Sequence, residues 1–158
     1  MPVKPVPHGY HTLTPTLAVE NAAEAIDFYT RAFGARERAR MLAPDGRIAH
    51  AEVEIGDSLF MLSDPFPGMS SKPPKELGGT SGGVFVYVED VDAFAQRAVD
   101  AGAQITMPIA DQFWGDRFGQ LTDPFGHRWA VATHVEDVPE GEMAKRAEKA
   151  MAEMTGQA

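Results

Sequence analysis

His50 and Glu52 stand two residues apart in Ile48-Ala49-His50-Ala51-Glu52-Val53-Glu54-Ile55. In an extended strand such residues share a face, so an imidazole and a carboxylate come side by side. That pairing suits general acid–base work or a shared cation. The opposite face (Ala49, Ala51, Val53) is small and apolar. It suits contact with a helix and directs His50 and Glu52 to the concave side of a sheet. A second constellation is Phe113-Trp114-Gly115-Asp116-Arg117-Phe118-Gly119. Trp114 offers an aromatic wall, and Arg117 can hold a carboxylate or phosphate bidentately. Asp116 can orient Arg117 or act as a base. If the chain does chemistry without a metal, His50 is the first candidate base, Glu52 orients it and Arg117 stabilises an oxyanion. The plainer readings are a rim hydrogen-bonding pair and an aromatic anchor beside an internal salt bridge. Asp123-Pro124-Phe125-Gly126-His127 reads first as a tight turn. His127 and His134 make no recognisable metal spacing, and His11 is placed to line a cavity in a partner subunit.

Composition narrows the chemistry. The 158 residues include no cysteine, which excludes disulfides, thiol nucleophiles and thiolate metal sites. The 23 acidic and 14 basic residues give a net charge of −9, against a general nucleic-acid binder. No stretch approaches the roughly 20 apolar residues of a membrane span. The opening Met1–Tyr10 lacks the apolar core of a signal peptide, so a cytoplasmic location is expected, with neither nucleic acid nor membrane as partner.

The elements that must position these groups come twice. Leu17–Ala35 and Val86–Ala103 each read as strand, acidic turn, amphipathic helix and Gly-Ala. Asn21 can cap the first helix, with Glu24 completing a capping box, and Asp90 can cap the second. Ile26, Tyr29, Ala32 and Phe33 form one apolar stripe, and Val91, Phe94, Ala95 and Ala98 the other. Strands are expected over 36–42, 48–55 and 58–62, then over 104–107, 114–122 and 127–134. The fold class is therefore α+β, two tandem βαβββ modules forming one cupped mixed sheet. The modules span 10–64 and 83–137. A Pro- and Gly-rich linker with the composition of a lid covers 65–82, and a helical tail covers 138–158.

With these pieces in order, the sequence resembles the glyoxalase, bleomycin-resistance and extradiol-dioxygenase superfamily, the vicinal oxygen chelate proteins, in its PhnB-like branch. The resemblance rests on 22–35 (AAEAIDFYTRAFGA), 47–64 (RIAHAEVEIGDSLFMLSD) and 110–137 (ADQFWGDRFGQLTDPFGHRWAVATHVED). It implies a glyoxalase-like fold, a ligand cavity in the cup and a homodimer. Active members chelate substrate oxygens with a divalent metal. The ligand positions the resemblance implies fall here on Thr14, Met61, Gly83 and Ala130. None is a ligand for a hard divalent ion, so no metal and no cofactor is expected. The reading this favours is a protein that binds a small molecule in its cavity, with Trp114, Asp116, Arg117, Phe60, Tyr87 and Trp129 as binding residues. A metal-dependent lyase or dioxygenase, and an interaction protein whose cup is filled by its own side chains, stay open.

Overall fold

In the computed structural model, which describes residues 2–156, the repeat becomes two copies of one unit. The first holds β1 (Thr16–Ala18), α1 (Ala22–Phe33), β2 (Arg36–Leu42), β3 (Ile48–Ile55) and β4 (Ser58–Ser63). A connector with the short helix α2 (Pro74–Leu77) leads to β5 (Gly83–Tyr87), α3 (Val91–Ala101), β6 (Gln104–Asp111), β7 (Asp116–Thr122) and β8 (Arg128–His134). The tail forms α4 (Glu140–Thr155); residues 157 and 158 of the expected tail lie outside the described residues.

The helices of the two modules, α1 and α3, start where their caps predict. The Asn21 side chain accepts from the Glu24 N–H at 3.3 Å, and Asp90 accepts from the Ala93 N–H at 3.0 Å. Glu24 answers through the Asn21 side-chain amide at 3.0 Å, so the box closes side chain to side chain. Gly34 and Gly102 end the helices with φ of 65° and 121°.

The sheet orders are β1-β4-β3-β2 and β5-β8-β7-β6. In each, the first strand runs parallel to its neighbour and the other pairs are antiparallel. The tandem βαβββ modules expected from the sequence are present, each with its own four-stranded mixed sheet. Side chains join the modules. Tyr29 of α1 is fully buried, with ring centroids 5.4 Å from Trp129 of β8 and 5.5 Å from Phe60 of β4. Phe33 stacks on Phe94 of α3 at 5.1 Å. Burying one such phenylalanine contributes roughly 1.5–3 kcal/mol.

Polar bonds fix the angle of this apolar joint. Asp123, 4% exposed, accepts from the Tyr29 hydroxyl at 2.7 Å and the Trp129 indole N–H at 2.9 Å. Its other oxygen accepts from the Phe125 and His127 N–H groups, both at 2.9 Å. Burial pushes the Tyr29 phenol well above its ordinary range, and Asp123 reinforces the shift. His127 Nε2 meets the Ala18 carbonyl at 2.8 Å, and Arg97 of α3 donates to the Arg31 carbonyl of α1 at 2.6 Å. The 123–127 turn is thus an inter-module joint. Pro73 and Pro74 of the connector are buried, with Pro74 lying against Gly126.

Two strand limits differ from expectation by more than one residue. β6 continues past Met107 to Asp111, through register shifts opposite β7. It is the outer strand, where Pro108 can lack a donor without breaking a ladder. β7 starts at Asp116 because Gly115, at φ +98°, turns the chain before it.

Candidate functional site

Strand alternation sorts the candidate residues by face. On β3, Ala51 and Val53 enter the core beneath α1, while His50 and Glu52 stay partly exposed on the helix-distal face. Their nearest polar atoms are 3.5 Å apart, a loose contact. Residues 5–14 run beside this face, where Tyr10, His11, Thr14, Glu52 and Met61 help enclose a cavity of about 450 Å³. The Tyr10 hydroxyl is buried close to Glu52 without the alignment of a hydrogen bond. Burial first, and the adjacent carboxylate next, push this phenol up to about 12. Tyr10, followed by His50, holds Glu52 below the usual carboxylate range against a smaller effect of burial.

On the second sheet the helix-distal face carries Phe85 and Tyr87 of β5 with Asp116 and Phe118 of β7. Phe85 stacks on Phe118 at 5.5 Å, and Trp114 meets Phe118 edge-on at 5.5 Å. Asp116, 3% exposed, organises the group. It accepts from the Tyr87 hydroxyl at 2.9 Å, from the Trp114 indole N–H at 3.0 Å and from His134 Nδ1 at 2.8 Å. Burial pushes the Asp116 carboxyl up, and the bonds from His134, Tyr87 and Trp114 outweigh it and hold the carboxyl low. Its acceptance of the Tyr87 bond raises that phenol.

The structure thus brings Trp114, Asp116 and Tyr87 together and adds His134. Sequence reasoning set His134 aside for want of metal spacing. The signal that finds it is register: His134 is the cross-strand partner of Asp116.

Arg117 does not join this group. As the next residue along β7 it points to the helix side. There it donates to Asp92 of α3 at 2.6 and 2.9 Å and to Asp111 at 3.1 Å. Asp116 therefore does not orient Arg117, and the expected oxyanion donor is already engaged by two carboxylates on the opposite face from Asp116. These are solvent-screened surface pairs that contribute little to stability. Arg117→Met is expected to leave both stability and small-molecule binding nearly unchanged, as read by urea unfolding and dye titration. A tenfold loss of binding would return Arg117 to the site.

A cavity of about 730 Å³ lies at the seam of the two modules. Phe60 and Leu59 of β4, Phe85 and Tyr87 of β5, and the buried Trp129 line it. Phe85 and Tyr87 are 48% and 62% exposed. His11, Asp57 and Glu89 supply polar groups on its walls. On one side its wall is β5, an edge strand of the second sheet.

The positions where the resemblance places metal ligands do not fit a divalent ion. Thr14 and Met61 share the smaller cavity with a single carboxylate, Glu52. A side chain at Gly83 would start 2.8 Å from the Arg128 carbonyl, and Ala130 lies opposite Phe85 and Gln120. Among the described residues no three His, Asp or Glu side chains gather as a metal cluster. No helix among them is long and apolar enough to cross a membrane.

Comparison with known proteins agrees with this architecture. Uncharacterized protein Rv0887c of Mycobacterium tuberculosis is 46% identical over 129 residues, which cover 80% of this chain and 76% of that protein. The X-ray structure of the Arabidopsis thaliana gene product At5g48480 is 30% identical with a TM-score of 0.62, covering 78% of this chain and 98% of that one. A PhnB protein from Bacillus cereus, 21% identical with a TM-score of 0.60, covers 78% of this chain and 99% of its own and shares the fold. The family model for the Glyoxalase/Bleomycin resistance protein/Dioxygenase superfamily matches residues 10–131, and the chain belongs to that superfamily.

Proposed function

We propose that this protein binds a largely apolar small molecule at the seam between its modules. The observation that carries the reading is the 730 Å³ cavity, where three aromatic residues expected to bind ligand, Phe60, Tyr87 and Trp129, meet. Ligand sites typically measure about 300–1,000 Å³ and combine apolar walls with a few polar groups. Tyr87 is the adjustable part of the wall: its ring is exposed and its hydroxyl is tethered to buried Asp116. Trp114 and Asp116 act behind Tyr87, as positioning residues. Exposed apolar side chains on both sheets, Met41 and Leu42 on β2 with Phe85 and Tyr87 on β5, support a homodimer in which a second copy covers them. The absence of cysteine suits a cytoplasmic location.

Titration with the uncharged apolar dye Nile red tests the reading. Saturable binding is expected, weakened about tenfold by Tyr87→Ala, equivalent to about 1.4 kcal/mol. Tyr87→Phe keeps the ring and is expected to bind within about threefold of the parent. Absence of saturable binding, or binding indifferent to Tyr87→Ala, overturns it.

A second reading assigns proton transfer to His50, oriented by Glu52. The buried Tyr10 hydroxyl favours it, because Tyr10 and Glu52 line the same small cavity and Glu52 also meets His50 at 3.5 Å. A His50→Ala variant that turns over an identified substrate at the parent rate removes this reading.

A further inference from the structure

We infer that His134 is a proton-operated latch joining the buried floor of the second sheet to the segment that carries the C-terminal helix. Both of its ring nitrogens face carboxylates. Nδ1 lies 2.8 Å from Asp116 Oδ1, and Nε2 lies 2.9 Å from Asp137 Oδ1. A neutral imidazole carries a single N–H and an imidazolium carries two. Only the protonated ring can donate to both carboxylates at once.

The two partners differ in what they do when the second proton leaves. Asp116 is buried and already collects Tyr87 and Trp114, so an unpaired oxygen there has no water to turn to. Asp137 is fully exposed. The remaining N–H therefore stays on Asp116, the Nε2 lone pair confronts the Asp137 carboxylate, and Asp137 moves off into solvent.

The geometry around this contact carries the change outward. The 135–137 segment crosses directly over Gly115, whose carbonyl accepts from the Val135 N–H at 2.9 Å and the Glu136 N–H at 3.0 Å. Glu136 in turn accepts from Arg146 of α4 at 2.7 and 2.8 Å, and Arg146 also meets Glu142 at 3.1 Å. No residue of α4 is buried, so this short segment and the Arg146 pair hold the helix in place. Removing the Asp137 contact loosens the root of α4 and leaves Tyr87 and Trp114 on Asp116.

The titratable groups meeting at the latch are Asp137 from the segment after β8, Asp116 from β7 and Tyr87 from β5, which acts through Asp116. Asp137, then Asp116, raise the imidazole above its ordinary value of about 6.5. A group raised in the folded state contributes fully below its unfolded pKa, and its contribution is lost as pH rises through the folded value. Asp116 is held low, so its contribution is lost only as pH falls through that depressed value. The latch is closed between these limits and opens on the alkaline side of His134.

Imidazole nitrogen NMR and amide hydrogen exchange on the full chain, from about pH 5.5 to 8.5, test this independently of any ligand. The expected His134 spectrum shows both nitrogens protonated at the acidic end and a titration above the ordinary histidine range. Exchange over 135–143, corrected for its intrinsic pH dependence, should rise at least about threefold through that titration. Asp137→Asn, on an exposed residue, should lower the His134 titration and flatten the exchange profile. His134→Gln, with no ring to protonate, should give the loosened segment at every pH. A neutral His134 at pH 6, or segment protection that ignores its titration, overturns the latch.

Discussion

Replacing Asp123 with alanine is expected to destabilise the protein by about 3–5 kcal/mol. The carboxylate is 4% exposed and takes four hydrogen bonds, two from side chains that are themselves fully buried, Tyr29 and Trp129. Alanine leaves those donors facing apolar atoms, and each unsatisfied buried group costs about 1–3 kcal/mol. The isosteric Asp123→Asn is more informative. One oxygen accepts from Tyr29 and Trp129, the other from Phe125 and His127. The amide group of asparagine must therefore confront two donors in either orientation, and a loss of about 2–3 kcal/mol follows. Tyr29→Phe removes one donor and leaves three on the carboxylate, at about 1–2 kcal/mol. Urea unfolding read by tryptophan fluorescence checks all three. Because Tyr29 belongs to α1 and Trp129 to β8, loss of the joint should also separate the unfolding of the modules. A change below 1 kcal/mol for Asp123→Ala would show that the aromatic contacts alone hold the modules together.

That joint marks where the sequence stopped being legible. The fold repeats because the local signals repeat: Asn21 and Asp90 cap, Gly34 and Gly102 terminate, and the apolar stripes of α1 and α3 alternate with the strands. Those signals act within a few residues, so order and type can be read from them. Asp123-Pro124-Phe125-Gly126 was equally legible as a turn. That its carboxylate reaches Tyr29, 94 residues away, was not. The candidate site divides along the same line. Period-two alternation correctly set His50 and Glu52 opposite Ala51 and Val53. Adjacency in sequence suggested that Asp116 and Arg117 cooperate, yet the same alternation sends them to opposite faces. Cross-strand register between β7 and β8, which run without a bulge from Thr122↔Arg128 to Asp116↔His134, selected His134 as the real partner of Asp116.

Gly115→Ala is the second substitution with a large expected effect, for two separable reasons. Gly115 has φ +98°, a conformation that costs an L-residue roughly 1–2 kcal/mol. An added methyl would also collide with the Glu136 carbonyl oxygen and stand 3.1 Å from Val138. The backbone at 135–138 must then move, and the Gly115 carbonyl loses the N–H groups of Val135 and Glu136. A total of about 3 kcal/mol is expected, the strain plus about 1 kcal/mol for each net bond lost. The consequence reaches beyond stability, because the displaced segment includes Asp137. His134 should lose one of its two carboxylates, and its titration should fall toward the ordinary histidine value of about 6.5. Asp116 should keep Tyr87, so Nile red binding at the seam should stay within about threefold of the parent. Urea unfolding, the His134 titration and the dye titration together distinguish the two causes. Left-handed strain alone would lower stability and leave His134 unchanged, whereas expulsion of the 135–138 segment moves both. If alanine is accommodated with neither change, the close crossing at Gly115 does not hold the tail, and the Arg146–Glu136 pair must do so alone.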